Sequence, residues 1–141
     1  MSYLLDTNVL IALAWPSHAH HDAAQRWFAR KRKLGFRTCP ITQTGFVRIS
    51  CNPAFLPDAV TPQQALNLLE LITSLPGHEF WPADLALKEA IPSKSSLTGH
   101  RQITDAYLLA LAAARRGVLA TLDKGVLTLA GADARNVELL R

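Results

Sequence analysis

Short apolar runs alternate along the chain with longer stretches in which apolar residues recur every three or four positions. The short runs are typical of buried strands, and the spaced stretches are typical of amphipathic helices. We predict strands at Ser2–Leu5, Phe36–Cys39, Glu79–Trp81, Val118–Leu122 and Asn136–Leu139. We predict helices over Val9–Ala14, His18–Lys33, Pro40–Ile49, Leu66–Leu75 and Ala83–Ala90, and a further one from Thr104 to a stop signal at Gly117.

Turn-forming residues separate these elements. Asp6 follows the first strand and is placed to cap the helix after it. Gly35 is a stop signal for a helix. Three prolines make Asn52–Pro62 a loop, and the polar stretch Ile91–Gly99 predicts a mobile surface loop. Because strands alternate with helices, we expect one α/β domain over residues 1–141, a three-layer α/β/α sandwich with a short, mainly parallel central sheet.

The composition fits a soluble globular protein. Of the 141 residues, 49% are hydrophobic and 18% are charged, which excludes general disorder. The longest apolar run, Ala106–Ala114, is far shorter than the roughly 20 residues of a membrane span. Cys39 and Cys51 are too few for a disulfide framework and are expected to be reduced. Since Asp6 interrupts the first apolar stretch, we expect no signal peptide and predict a cytoplasmic protein.

Positive charge is concentrated in one segment, although the formal net charge is only +4. No acidic residue lies between Ala23 and Pro57. The basic residues of that segment are Arg26, Arg30, Lys31, Arg32, Lys33, Arg37 and Arg48. This asymmetry predicts a surface for a polyanion such as nucleic acid, beside a carboxylate site. The other interpretation is a solvated helix end, because helix C-termini favour cations.

Three aspartates occupy places where a parallel sheet builds functional sites. Asp6 follows the first predicted strand, Asp123 follows the fourth, and Asp105 lies in the first turn of a helix whose expected cap is Thr104. Because such sites form at the carboxyl ends of strands, we expect the three to converge. Each alone has a structural explanation: a helix cap for Asp6, a favourable helix-dipole interaction for Asp105 and a turn for Asp123.

Clustered carboxylates imply a bound cation. Two carboxylates about 4 Å apart repel each other by about 4 kcal/mol at an effective dielectric constant of about 20. Ligation by oxygen alone is what Mg²⁺ and Mn²⁺ prefer. Such a metal activates water and stabilises charge that develops on a phosphodiester. Together with the basic segment, the aspartates predict a nuclease.

Four motifs, in order, resemble those of PIN-domain proteins. They are Leu4-Leu5-Asp6-Thr7-Asn8-Val9-Leu10-Ile11, Pro40-Ile41-Thr42-Gln43-Thr44-Gly45-Phe46-Val47-Arg48, Ile103-Thr104-Asp105-Ala106-Tyr107-Leu108-Leu109-Ala110-Leu111-Ala112 and Leu119-Ala120-Thr121-Leu122-Asp123. Over essentially its whole length the chain is similar to the VapC toxins of bacterial toxin–antitoxin systems. The resemblance implies an Mg²⁺-dependent endoribonuclease that inhibits translation by cutting a structured RNA, such as a tRNA or an rRNA loop. It also implies a homodimer and a cognate VapB-type antitoxin, through which alone the toxin would reach operator DNA.

Residue roles follow from the motifs. We expect Asp6, Asp105 and Asp123 to ligate Mg²⁺, or Mn²⁺ in its place, directly or through water, and we expect the helix dipole to keep Asp105 ionised. Asn8 is expected to hold Asp6 in its rotamer or to contact the scissile phosphate, unless it only begins a helix. Thr121 is expected to bond to a metal-bound water, unless it is only a strand residue.

The middle motif departs from the family pattern. It usually supplies a glutamate, and the matching position here is Gln43. An amide oxygen can bind a metal or its water but brings no charge. We therefore expect a site with about three negative charges, at which a second metal binds weakly. This departure leaves an alternative open, a PIN-fold module that binds RNA or a partner and has weakened catalysis.

The remaining candidates have simpler explanations beside their functional ones. Asp84 would support the metal site from outside or cap a helix. His18, His20 and His21 would contact RNA or donate a proton, or lie exposed before a helix. An aspartyl-phosphate enzyme is a third function class because Asp6 ends a strand, but dehalogenase-like phosphatases need a second aspartate where this chain has Asn8.

Overall fold

The computed structural model describes residues 1–91 and 97–141, and in these ranges five strands form one sheet. The strands are β1 (Tyr3–Leu5), β2 (Phe36–Thr38), β3 (His78–Phe80), β4 (Val118–Thr121) and β5 (Val137–Leu139). Their order across the sheet is β3-β2-β1-β4-β5, and every neighbouring pair is parallel. The carboxyl ends of β1 and β4, the two central neighbours, therefore lie side by side.

Helices connect the strands and cover the sheet. They are α1 (Thr7–Ala14), α2 (His21–Lys31), α3 (Pro40–Ser50), α4 (Pro62–Thr73), α5 (Leu87–Ala90), α6 (Ile103–Ala114) and α7 (Lys124–Ala130). Short 3-10 turns follow at Arg32–Leu34, His100–Gln102 and Gly131–Asn136. Within the ranges that the structure describes, no helix is long and apolar enough to cross a bilayer.

The core has two halves, one on each face of the sheet. Tyr3 and Leu5 of β1 pack into a cluster that includes buried residues of α1, α2 and α4, whereas Leu4 packs with α6 and α7. This alternation arises because successive strand side chains point to opposite faces. The predicted three-layer α/β/α sandwich with a mainly parallel sheet is thus confirmed.

The predicted helix at Ala83–Ala90 is wrong in its first half, because only Leu87–Ala90 is helical. The hydroxyl of Tyr107 donates to the Leu85 carbonyl oxygen at 2.9 Å and accepts from the Leu85 N–H at 3.2 Å. The backbone of Leu85 is therefore bonded to α6 instead of to a helical turn of its own. The cap expected at Asp84 is also absent, since its carboxylate accepts from Arg115 at 2.9 Å.

Other differences concern element ends. Helix α6 begins at Ile103 after a 3-10 turn, so Thr104 is not its cap. Helix α2 begins at His21 and not at His18. On α4 the buried residues are Ala65, Leu69 and Ile72. Leu66, the first apolar position of the helix predicted at Leu66–Leu75, is 47% exposed. Part of the predicted surface loop, residues 92–96, lies outside the described ranges.

Candidate active site

Asp6 is held at the junction of β1 and α1 with both carboxylate oxygens in use. Oδ1 accepts from the Thr7 N–H at 2.7 Å, which caps α1, and Oδ2 accepts from the Thr121 hydroxyl at 2.7 Å. The side chain is 6% exposed. Burial raises its pKa and the charge of Asp123 adds to that rise, while the two hydrogen bonds oppose it. The carboxylate is fixed in one orientation at the carboxyl end of the sheet.

Asn8 and Thr121 form the support behind Asp6. The Asn8 amide donates to Thr121 Oγ1 at 3.3 Å and accepts from the Leu122 N–H at 3.1 Å. The Thr121 hydroxyl also accepts a hydrogen bond from the Asp123 N–H at 3.1 Å and donates one to the Asp6 carboxylate. Asn8 thus orients Asp6 through Thr121 and not directly. The Thr121 hydroxyl, which was expected to bond to a metal-bound water, thus donates its hydrogen bond to the Asp6 carboxylate.

Asp105 lies in the first turn of α6, half-buried, and its carboxylate has no hydrogen-bond or ion-pair partner within residues 1–91 and 97–141. Burial is the largest cause that raises its pKa to about 6, followed by the negative charges of Asp6 and Asp123. Burial and the neighbouring charges thus act against the ionised form that the helix dipole was expected to favour, although a pKa of about 6 leaves the carboxylate ionised at neutral pH. The result is a carboxylate that a cation would stabilise.

Asp123 completes the group from a third element. It is exposed, it caps α7, and its Oδ1 accepts from the Gly125 N–H at 2.8 Å. Its charge acts on both Asp6 and Asp105. The structure therefore brings the three predicted aspartates to one edge of the sheet and into one electrostatic field.

The donor set fits Mg²⁺ better than it fits a tightly caged metal. Among the residues the structure describes, no group of three or more His, Cys, Asp or Glu side chains is close enough to hold an ion by itself. Mg²⁺ keeps several water ligands and takes only one or two carboxylates directly. An edge with an unpartnered, repelled carboxylate at Asp105 and a fixed one at Asp6 matches that preference.

A cavity of about 600 Å³ opens beside Asp6 and Asp105, and α3 forms its far wall. Its lining from α3 is Pro40, Ile41, Thr44, Gly45, Arg48 and Ile49. A Cβ atom added at Gly45 would lie 2.7 Å from Thr7 Oγ1, so glycine lets α3 pack directly on the start of α1. The α3 wall of the cavity thus includes one position without a side chain, Gly45, and no acidic residue.

Gln43 does not line the cavity that contains Asp6 and Asp105. Its Nε2 donates to the buried Thr38 Oγ1 at 2.9 Å, and Thr38 Oγ1 is bonded to His78 Nε2 at 2.8 Å. Gln43 instead faces a smaller cavity of about 290 Å³ between α3 and α4. Its contacts join α3 to β2 and β3, at a distance from the aspartates.

Of the seven basic residues of the predicted surface, Arg48 alone lines the aspartate cavity. The Arg37 guanidinium donates to the carbonyl oxygens of Phe36 and Gly77 and pairs with Glu79, and Lys31 pairs with Glu138. Arg26 and the run Arg30 to Lys33 lie on α2 and on the turn just before β2, at the edge where the strands begin. The basic run is therefore on the opposite edge of the sheet from the aspartates.

The three predicted histidines, His18, His20 and His21, make different contacts. His21 Nδ1 is bonded to the Ala12 carbonyl oxygen at 2.7 Å, and His18 Nδ1 accepts from the His20 N–H at 3.0 Å. His20 lines a second cavity, of about 680 Å³, together with Asp123, Lys124 and Arg141. Sequence reasoning missed Lys124 and Arg141, although Lys124 directly follows an aspartate of the site.

The fold and the aspartate edge define a known class of protein. A model of the PIN domain matches residues 3–132, and the chain belongs to the PIN domain family. Ribonuclease VapC39 of Mycobacterium tuberculosis is 46% identical over 133 residues, which are 94% of this chain and 96% of the relative. Ribonuclease VapC38 of the same organism is 46% identical over 140 residues, 97% of this chain and 96% of the relative. The resemblance to VapC proteins is thus confirmed.

Solved structures agree on the fold. VapBC2 of Rickettsia felis, bound to a DNA fragment from its promoter, matches with a TM-score of 0.68 at 15% identity and covers 100% of both chains. VapC20 of Mycobacterium tuberculosis, a Sarcin-Ricin loop cleaving toxin, matches with a TM-score of 0.67 at 14% identity and covers 99% of both. FitAcB of Neisseria gonorrhoeae has a TM-score of 0.60 at 20% identity and covers 92% of this chain and 93% of that one.

Proposed function

We propose that this protein is a VapC-type endoribonuclease that depends on Mg²⁺. The observation that carries the proposal is the edge at which Asp6, Asp105 and Asp123, supplied by three different elements, share one electrostatic field. Its mycobacterial relatives at 46% identity are named ribonucleases, which supports the same reaction. The substrate class is structured RNA, such as a tRNA or an rRNA loop, and the consequence of cleavage is inhibited translation.

Asp6 and Asp105 would hold the metal, with Asp123 as a third ligand directly or through water. When bound, Mg²⁺ would activate a water and stabilise charge on the phosphodiester, and Mn²⁺ would replace it because the donors are carboxylate oxygens. The role of the chain itself is positioning. Thr121 fixes Asp6, Asn8 fixes Thr121, and α6 presents an otherwise unpartnered Asp105.

Arg48 is the residue of the basic segment for which the proposal keeps an RNA contact. It is exposed on the wall of the cavity that contains Asp6 and Asp105, and it has no acidic partner among the described residues. A cation in that place can bind a phosphate whose neighbour lies on the metal. Ile41 and Ile49 give the same cavity apolar surface suitable for a ribose or an unstacked base.

A VapB-type antitoxin is the proposed partner that neutralises the toxin. VapBC2 of Rickettsia felis, bound to a DNA fragment from its promoter, is a complex of this kind. We extend to this chain a homodimer, and contact with operator DNA only through the antitoxin. Co-expression and co-purification with a VapB-type antitoxin, followed by light scattering, would test both the partner and the stoichiometry.

The alternative, a PIN-fold module that binds RNA or a partner and has weakened catalysis, stays the second candidate. Gln43 is bonded to Thr38 away from the aspartates, and no acidic residue exists anywhere on α3. The site keeps three carboxylates, so we expect the second metal of a two-metal mechanism to bind weakly.

The decisive experiment is cleavage of total bacterial RNA with mapped product ends. Wild type is compared with Asp105→Asn in Mg²⁺, in Mn²⁺ and in EDTA, and Asp84→Asn is the matched control because its carboxylate is paired with Arg115. We expect a discrete product that requires metal and Asp105 and that Asp84→Asn preserves. RNA that is bound but never cut by the wild type would support the binding module instead.

A further inference from the structure

A second hollow, of about 680 Å³, lies against the aspartate edge on the side away from α3. It is formed at the ends of β4 and β5, and its lining is His20, Leu122, Asp123, Lys124, Leu139, Leu140 and Arg141. Leu122 donates its N–H to the amide oxygen of Asn8, and Asn8 lines the first cavity. The two cavities are therefore neighbours across one hydrogen bond, with Asp6 and Asp105 lining the first and Asp123 lining the second.

The hollow contains two basic side chains, Lys124 and Arg141, beside one acidic side chain, Asp123. Lys124, Arg141 and His20 are exposed, and none of them forms an ion pair within the described ranges, even though Asp123 lines the same hollow. Cations left unpaired in a concave surface beside a carboxylate edge attract an anion that the chain itself does not supply.

We propose that this hollow binds a phosphate of a single-stranded RNA segment, on the opposite side of the cleaved bond from Arg48. The proposal rests on the proposed ribonuclease function and deepens it. An RNA strand carries a phosphate at each nucleotide, so a strand whose scissile phosphate lies on the aspartates extends in both directions. Arg48 lines the cavity on the α3 side of the aspartates, and Lys124 and Arg141 line the hollow at the ends of β4 and β5. The cleavable segment is thus held by cations on both sides of the bond.

The test measures binding in EDTA, where metal-dependent cleavage is suppressed, so that affinity is read apart from catalysis. The probe is a short single-stranded RNA of mixed sequence, titrated by fluorescence anisotropy at several salt concentrations. The test protein is the double variant Lys124→Gln with Arg141→Gln. The matched control is Arg30→Gln with Lys33→Gln, which removes the same charge from the opposite edge of the sheet.

Each phosphate contact to a single strand contributes about 0.7 to the slope of log affinity against log salt concentration. We expect the test variant to lower that slope by about 0.7, the contribution of the one phosphate that it no longer binds, and to weaken binding by about tenfold, while the control keeps the wild-type slope. Circular dichroism of both variants confirms that they are folded.

Equal loss in both variants would indicate attraction by net charge alone and would overturn the proposal. Loss only in the Arg30 and Lys33 variant would overturn it as well and would place the RNA on α2. Cleavage of total RNA by the wild type, measured alongside, distinguishes failure of the proposed hollow from failure of the proposed function. If the wild type cleaves and the test variant binds normally, the hollow alone is wrong, and if the wild type neither binds nor cleaves, the proposed function fails with it.

Discussion

The two edges of the central sheet carry charge in opposite ways. Toward the edge where the strands begin, Arg37 pairs with Glu79 and donates hydrogen bonds to backbone carbonyl oxygens. Lys31 pairs with Glu138. At the edge where the strands end, Asp105 has no partner among the described residues and its pKa is raised to about 6. At the first edge, Arg37 and Lys31 use their charges to stabilise the fold, whereas at the second edge the charge of Asp105 stays uncompensated.

This contrast indicates which charges belong to function. The basic run is the more conspicuous feature of the sequence, yet two of its residues are consumed by ion pairs and Arg32 lies over the Phe28 ring. The aspartates are scattered along the chain and become a group only on folding. Charges that the fold leaves unsatisfied in one place lower stability, and such places are typical of functional sites.

The largest expected effect comes from neutralising the aspartate edge. Asp6→Asn should lower RNA cleavage by at least about 100-fold, because it removes a fixed, charged metal ligand. The variant Arg30→Gln with Lys33→Gln should retain cleavage within about twofold, since both side chains lie at the opposite edge. Initial rates on a mapped RNA substrate give the comparison. A comparable loss in both variants would contradict the separation of the two edges.

The next effect concerns stability at the other edge. Arg37→Met keeps the aliphatic stem but should lower the free energy of unfolding by about 2 kcal/mol, because the carbonyls of Phe36 and Gly77 lose a shared donor. Arg30→Met, at an exposed position, should change it by less than about 0.5 kcal/mol. Urea denaturation measures both. An unaffected Arg37→Met would mean that these contacts are not structural.

Much of the fold follows from the sequence, because alternating short runs and stripes, with proline and glycine between them, fix the element order. The helix at Ala83–Ala90 fails since a distant hydroxyl, that of Tyr107, captures the backbone of Leu85. No local pattern contains that contact. The prediction that Leu66 packs in the core fails for a related reason. Apolar positions at helical spacing form a stripe, and the sequence does not reveal which edge of that stripe faces solvent.

The site is predictable in its aspartates and not in its walls. Asp6 and Asp123 follow strands, and strand ends converge in a parallel sheet. Gln43 and Gly45 are two positions apart on α3, and residues of a helix turn by about 100° each, so a motif match cannot say which one faces the cavity. The basic run was assignable, however, because residues just before a strand lie at its amino end.

A smaller effect follows from the pKa of Asp105. The folded protein holds the Asp105 proton up to about pH 6, whereas the unfolded chain releases it near the ordinary value of 3.8. Ionisation therefore costs the folded state stability, a cost that is absent below pH 4, grows between pH 4 and 6 and is complete above pH 6. Asp105→Asn removes it and should stabilise the metal-free protein at pH 7 by about 1 kcal/mol, after discounting for exposure.

Urea denaturation in EDTA at pH 7 and at pH 3.5 measures this gain, which should vanish at the lower pH. Asp84→Asn should show no gain at either pH, because Arg115 already compensates its charge. Added Mg²⁺ should stabilise the wild type and not Asp105→Asn. A variant no more stable than the wild type at pH 7 would show that Asp105 is not repelled by its neighbours.

The smallest expected effect is also the sharpest test of how the family motif maps onto the structure. Gln43→Glu supplies the acid that the middle motif usually carries, but it places the charge beside Thr38 and His78 and away from the aspartate cavity. Cleavage should change by less than about twofold, because the new carboxylate cannot reach the metal. At present burial, followed by the charge of Arg37, lowers the pKa of His78. A carboxylate that accepts from Thr38 would let Thr38 accept in turn from a protonated His78, so the His78 pKa should rise, which NMR titration measures. Strongly increased cleavage would instead show that position 43 belongs to the metal site and does more than support the fold.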